Sequence, residues 1–274
     1  GNLDFRVEYD GKDEFAPVCA DFNEMAERLR QSVEQTLRHE QSRRELMAGI
    51  SHDLRSPLTS IKAYVEGLLD GVARTPERQR RYLETIKEKA EDIGRMVSQI
   101  FLFSKMELAE YPMHPETLRL DEEVDRLVQA AAPEYCARGL EITVQAVPAT
   151  VRADPDLLRR ILLNIMDNSA KYKGKPAGHL HITVQAADGV CTLALTDDGP
   201  GVPAEACGKL FDVFYRSDPA RKNPAGGSGL GLAIAAKAAA RMGGTIRAEN
   251  APGGGLSIIL TLPEEESHAA HPDY

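Results

Sequence analysis

Apolar residues recur three or four positions apart through most of the first hundred residues, and the stripe they form changes along the way. Phe22, Met25, Leu29, Val33 and Leu37 make a single narrow line. That is the pattern of a coiled-coil seam rather than of a helix packed into a globular core. Met47, Ile50, Leu54, Leu58, Ile61, Val65 and Leu68 continue the spacing, which predicts one nearly unbroken helix from Asp13 to Gly71. Asp70-Gly71 ends it, Thr75 is a cap for the next helix, and Pro76 suits a first turn. The second helix carries Leu83, Ile86, Ala90, Ile93, Met96, Val97, Ile100 and Leu102. One such hairpin leaves its stripe in water. Two bury it as a four-helix bundle, so the pattern predicts a homodimer.

The period changes after YPMHP, residues 111–115, which breaks the helix and marks a linker. TLRL (117–120) and LEITVQAV (140–147) alternate like strands. Asp154-Pro155 opens a helix that runs through Tyr172, HITVQA and CTLALT pair as strands, and LGLAIAAKAAARMG is a helix. GTIRAEN and GLSIILTLP close the domain as a hairpin. Helices and strands interleaved in this way predict an α/β sandwich. Residues 1–12 read as an extended connector and the polar tail from Glu264 as loose.

Composition narrows the function classes. With 33 basic and 42 acidic residues the net charge is -9, which argues against nucleic acid as a direct partner. Cys19, Cys136, Cys191 and Cys207 are scattered without a C-x-x-C pair, so neither a zinc site nor a disulfide framework is expected. No apolar run reaches the roughly 18–20 residues of a membrane span. The opening GNLDFRVEYDGKDEF has the look of a cut within a longer protein.

Chemistry is concentrated in a few segments. In SHDLRSPL, residues 51–58, His52 lies two positions from Ile50 and from Leu54, about 200° away from each on a helix. It therefore faces away from the apolar seam. Ser56 falls within about 40° of it, on the same exposed face. A neutral imidazole is a nucleophile, and Asp53 beside it can take or orient a ring proton. Pro57 removes one helical hydrogen bond and loosens the helix. A lone histidine of this kind is more often just solvated, as His39, His114, His179, His181, His268 and His271 are read to be, with His181 facing outward from a strand.

In the second half, Asn164, Asn168 and Lys171 stand at i, i+4 and i+7, within about 60° on one face, while Leu158, Leu162 and Ile165 face the core. Amides and a lysine in one stripe can hold a metal ion and phosphates. Read alone, the stripe is equally the polar face of an amphipathic helix. TDDGPGVP follows a strand, with Gly199 and Gly201 around Pro200. It is either an ordinary turn or a backbone bent around a flat ligand, with Asp197 accepting from an exocyclic amine. GGSGLGLAIA puts Gly227, Gly229 and Gly231 at the start of a helix, where free N–H groups favour phosphate. It is neither a Rossmann nor a P-loop pattern. The segment SDPARKNPAGG, with Arg221 and Lys222, reads as a lid over a nucleotide.

Order and spacing together carry a resemblance. SHDLRSP resembles the phosphoacceptor box of sensor histidine kinases of two-component systems. NIMDNSAKY resembles their asparagine box, DDGPG the first glycine box, LFDVFYR the phenylalanine box and GSGLGL the second glycine box. The resemblance implies a partial HAMP module at 1–30, a coiled-coil connector at 31–45 and a dimerisation and histidine phosphotransfer hairpin at 46–110. A linker at 111–116, an ATP-binding domain of GHKL/Bergerat type at 117–263 and a flexible tail at 264–274 complete the expected order.

The roles it implies follow residue by residue. His52 takes the γ-phosphate of ATP and passes it to an aspartate of a response regulator. Asp53, where many relatives carry Glu, accepts a proton. Ser56 serves dephosphorylation of the regulator. Asn168 binds Mg²⁺; Asn164, Lys171 and Tyr172 line the triphosphate and base; Asp197, with Gly199 and Gly201, reads the adenine amino group. Gly227, Gly229, Leu230 and Gly231 wrap the phosphates, and Arg216 approaches the transferred group. A HAMP module implies a membrane span upstream, leaving this portion on the cytoplasmic side of a cell membrane. Two other readings share the nucleotide fold or the hairpin: a GHKL ATPase, and a regulator-binding scaffold without kinase activity. Related hydrolases carry a Glu base where Asn164 stands, which favours transfer over hydrolysis.

Overall fold

The structure, a computed structural model, describes residues 7–9, 11, 13, 15–108, 110–215 and 229–265. The candidates Arg216 and Gly227, the segment with Arg221 and Lys222, and most of the polar tail lie outside them. The chain forms two compact units, residues 1–55 and 56–274.

In the first unit, helix α1 begins at Phe15; it extends through Pro57 to Leu69 without a break. The connector before it is tied down: the Val7 amide donates to Asn23 Oδ1 at 2.8 Å and Asn23 Nδ2 returns a bond to Val7 O at 2.9 Å. Phe22, Met25, Leu29, Val33 and Leu37 are all exposed, as an unpaired coiled-coil seam would be. Ion pairs one turn apart, Arg28–Glu24 and Arg44–Glu40, line its solvated flank.

In the second unit, α1 ends in a turn at Gly71 (φ +66°). Helix α2, Pro76–Glu107, starts at Thr75, whose side chain accepts from the Arg78 amide at 3.3 Å. Tyr64 and Tyr82 meet edge to face at 4.9 Å and fasten the hairpin. Leu58, Val65, Leu83, Val97 and Phe101 stay exposed. The buried residues of α2 are Phe103 and Met106, near its end.

Strand β1 (Glu116–Arg119) and helix α3 (Leu120–Ala137) follow, then β2 (Leu140–Ala146), β3 (Thr150–Ala153) and α4 (Pro155–Tyr172). Next come β4 (Gly178–Ala187), β5 (Val190–Asp197), the short α5 (Ala204–Cys207), α6 (Gly231–Arg241), β6 (Thr245–Asn250) and β7 (Leu256–Pro263). β1 and β3 form a two-stranded antiparallel sheet; the main sheet has the order β2-β4-β5-β7-β6. Only β2–β4 is parallel, as its long crossover through α4 requires. Leu157, Leu158, Ile161, Leu162, Ile165 and Met166 of α4 are buried along with Leu180, Ile182, Leu193, Leu195, Leu260 and Leu262 of the strands. One sheet face is thus covered by helices, an α/β sandwich behind a helical hairpin.

Two junctions position the nucleotide domain. Asp154 is 2% exposed and caps α4: Oδ1 accepts from the Asp156 and Leu157 amides at 3.0 and 3.1 Å. Its Oδ2 accepts from the His114 amide at 2.8 Å, so the same carboxylate holds the linker. At the other junction, α6 packs against the end of α2. Lys237 pairs with Glu107 and lies 5.5 Å from the centre of the Phe103 ring, and burial lowers its pKa. Arg241 Nη2 donates to Tyr111 O at 2.9 Å.

Candidate functional site

Two sets of groups emerge, one in each unit. On α1 the His52 side chain is 70% exposed and its Nδ1 lies 2.9 Å from Asp53 Oδ1. An ionised carboxylate only accepts, so the shared proton sits on Nδ1 and Nε2 keeps its lone pair outward. The Asp53 contact thereby favours the tautomer with its proton on Nδ1. Ser56, in the second unit, is exposed, and its carbonyl accepts from Ser60 Oγ at 3.2 Å.

The second set gathers around the ends of β5, α4 and α6. α4 buries Leu157, Leu158 and Leu162 and holds Asn164, Asn168 and Lys171 half-buried on its polar face. The Lys171 ammonium is 4.7 Å from the ring centre of Tyr172, which is itself exposed. Gly231 opens α6 directly against Asn164, whose Oδ1 would be 3.3 Å from any Cβ there. Alanines 233, 235, 238 and 239 are buried. Their small side chains let α6 run close to α4.

Asp197 ends β5. Its Oδ1 accepts from the amides of Gly199 at 2.9 Å and Leu256 at 3.0 Å. Ser169 Oγ lies 3.4 Å from Oδ2. Two backbone donors therefore anchor Oδ1, and Oδ2 has only the long contact from Ser169. Asp198, next in sequence, has a different task. Its Oδ1 accepts from the His179 amide at 2.9 Å; this bond above all, with Lys175 nearby, holds its carboxyl below the ordinary value. Of the adjacent pair, Asp198 closes β4 onto β5, while Asp197 is bound by Gly199, Leu256 and Ser169.

The glycines earn their places by contact. A Cβ on Gly199 would be 3.0 Å from Asp197 Oδ1, and one on Gly201 (φ +69°) 2.7 Å from Asn250 Oδ1. Gly229 (φ +66°) abuts the backbone of Phe214, itself left-handed at φ +61°, and its carbonyl accepts the Phe214 amide at 3.1 Å. Leu230 is buried behind them. The structure thus pairs Asn164 with Gly231 and Asp197 with Gly199, rests Gly201 on Asn250, and sets Asn164, Asn168, Lys171 and Tyr172 along α4. Sequence reasoning missed Ser169, Asn250 and Leu256. A buried serine beside Asn168 was a visible signal; the other two act across 48 and 59 positions and left none. Among the described residues no group of three His, Cys, Asp or Glu could hold a metal ion. A divalent ion here would rely on amide oxygens, phosphates and water, which suits the hard-cation chemistry of Asn164 and Asn168.

Residues 153–266 match the family described as histidine kinase-, DNA gyrase B- and HSP90-like ATPase. Residues 42–109 match the His Kinase A (phospho-acceptor) domain and 1–31 the HAMP domain. Among curated relatives, the sensor protein kinase WalK of Staphylococcus epidermidis is 33% identical over 231 residues, covering 82% of this chain and 37% of its own. The chain therefore spans little more than a third of that relative's length. Among solved structures, full-length ShkA in complex with AMPPNP is 26% identical with a TM-score of 0.56, covering 80% of this chain and 46% of its own. Histidine kinase ThkA in complex with response regulator protein TrrA shares the fold, with 19% identity and a TM-score of 0.64 over 92% of this chain and 68% of its own. Phosphoacceptor hairpin and nucleotide domain thus follow one another in the order their geometry had suggested, and the chain belongs to the sensor histidine kinases of two-component systems.

Proposed function

We propose that the chain phosphorylates His52 from ATP and hands the phosphoryl group to an aspartate of a response regulator. The observation that carries this reading is an exposed His52 whose Nδ1 is engaged by Asp53, in a chain that also builds a nucleotide cradle around Asp197. Nε2 forms the N–P bond as the bond from the γ-phosphorus to the leaving diphosphate breaks. Asp53 takes up the positive charge that develops on the ring by sharing the Nδ1 proton. Asp197 Oδ2 orients the adenine amine, and Asn164, Lys171 and the α6 start hold the phosphates, with Arg216 and Gly227 assigned there from sequence. Asn168 holds Mg²⁺, which when bound neutralises phosphate charge during transfer.

The test is labelled ATP incubated with the chain, Mg²⁺ and a panel of purified response regulators. Label should appear on the chain first and then on one regulator, and chelation of the metal should stop it. Release of inorganic phosphate with neither protein labelled would support ATP hydrolysis instead, a role to which the Asn164 amide is unsuited because it cannot act as a general base.

The exposed stripe of Leu58, Val65, Leu83, Val97 and Phe101 supports a homodimeric four-helix bundle. A dimer is expected in sedimentation at micromolar concentration; a monomer there would remove the bundle. The match of residues 1–31 to the HAMP domain supports a protein anchored at a cell membrane; no helix among the described residues is long and apolar enough to cross one.

Ser56 is assigned to orienting water for attack on the phosphorylated regulator. Ser56→Ala should label within a few-fold of the parent while dephosphorylation falls by roughly 10²-fold or more. A parallel loss of both activities would make Ser56 structural.

A further inference from the structure

We infer that Asn250, at the end of β6, is a positioning residue for base recognition; the inference rests on the reading of Asp197 as the group that meets the adenine amine. Asn250 is 53 positions beyond Asp197 and its side chain reaches no candidate ligand group. It clasps the backbone of the glycine loop instead. Oδ1 accepts the Val202 amide at 3.0 Å and Nδ2 donates to the Val202 carbonyl at 2.7 Å. A carboxamide presents one donor and one acceptor side by side, so it matches both polar groups of a single residue. No other side chain of this length does so at neutral pH.

The clasp is one part of a larger brace. Asn250 pairs with Leu256 across the β6–β7 hairpin. The Leu256 amide is one of the two donors on Asp197 Oδ1. Gly255, one residue earlier, lies so close to Asp197 that a Cβ on it would overlap the Asp197 carbonyl oxygen. Gly201 in turn rests on Asn250 Oδ1 and on Gly255 O, at 2.7 and 3.2 Å from where its Cβ would stand. The hairpin end therefore holds the loop from both sides. Leu256 fixes the Asp197 carboxylate, and Asn250 fixes the loop at Val202, five residues further on.

Between these two points the backbone runs through Asp198, held by the His179 amide, and then Gly199, Pro200 and Gly201. Two of these four residues lack a side chain, and Gly201 occupies the left-handed region at φ +69°. Such a segment has little rigidity of its own. Its shape, and with it the direction of Asp197 Oδ2, depends on what grips its ends. Releasing the Val202 end loosens the hold of the Gly199 amide on Asp197 Oδ1 and leaves the Leu256 amide as the firm donor, so the carboxylate can turn. Asn250 thus acts on the ligand through Asp197 and the loop, not by touching it.

The experiment compares the full chain with Asn250→Ala, Asn250→Ser and Asp197→Asn. Readouts are the KM and kcat of self-labelling with ATP, the displacement of a fluorescent ATP analogue by ATP and by GTP, and thermal unfolding. Asn250→Ala should raise KM for ATP about five- to tenfold, the scale of one or two lost hydrogen bonds, with kcat within about twofold. Its preference for ATP over GTP should fall in parallel. Asn250→Ser keeps one polar atom and should fall between, which also serves if the alanine variant does not fold. An unchanged KM and base preference in a folded Asn250 variant, even with lowered thermal stability, overturns the inference and leaves the brace purely structural. If Asp197→Asn retains the preference for ATP, the reading of Asp197 fails and the inference with it. If Asp197→Asn loses that preference and Asn250→Ala does not, the inference alone fails.

Discussion

A His52→Gln variant should take up no phosphoryl label from Mg-ATP while binding ATP as the parent does. Glutamine is close in polarity and suits a helix, so α1 has no reason to change. It lacks the ring lone pair that the Asp53 contact at 2.9 Å leaves outward, and an amide nitrogen is no substitute nucleophile. The expected loss is complete, down to background. The nucleotide groups belong to the second unit, so displacement of a fluorescent ATP analogue should be unaffected. Label on the parent should be lost in acid and kept in base, as a phosphoramidate behaves. Label that survives acid, or that persists in the variant, would mean that another residue carries the phosphate.

The second large effect is expected at Gly229. A Gly229→Ala chain should fold but bind ATP at least about tenfold more weakly. The position is left-handed at φ +66°, which costs an L-residue about 1–2 kcal/mol. Gly243, at φ +72°, carries the same conformational demand but has nothing within 4 Å of a Cβ. At Gly229 the new atom would stand 2.7 Å from Phe214 Cα and 2.9 Å from its carbonyl carbon. Those are backbone atoms of a residue already held at φ +61°, so neither side can yield without moving the start of α6. Gly243→Ala is therefore the control. Both variants should lose thermal stability, Gly229→Ala the more because of its added backbone overlap, and only Gly229→Ala should lose nucleotide affinity. Equal affinities for the two would detach the Gly229–Phe214 contact from the site.

The helical half was legible because its signal is local. Spacing alone predicted a helix from Asp13 to Gly71, and α1 runs Phe15–Leu69; Thr75 and Pro76 opened α2 where expected. Asp154-Pro155 likewise marked α4, which ends at Tyr172 as read. In the sandwich the sequence was less open. α3 went unread, although Leu120, Val124 and Val128 are buried at helical spacing, because Pro133 interrupts it and strand-like segments flank it. β3 is four residues long and runs straight into the Asp154 cap, too short for alternation to show. At the site, the residue types were visible and their settings were not. That Asp198 binds the His179 amide and Asp197 the Leu256 amide is a difference no local pattern carries.

The linker, read as residues 111–116, has far less slack than its sequence suggests. The Tyr111 amide donates to Lys105 O at 3.1 Å, still as part of the end of α2, while its carbonyl is held by Arg241. Three residues later the His114 amide is already bound to Asp154. Only Pro112 and Met113 lie between the two anchors, a tether of roughly 7 Å at full stretch. A nucleotide domain on so short a leash does not search space like a bead on a string. While these bonds hold, it stays docked on the end of α2. A wider sweep requires releasing Arg241 from Tyr111 and Lys237 from Glu107, so the number of intact contacts at that joint, rather than the count of residues in the linker, sets its range.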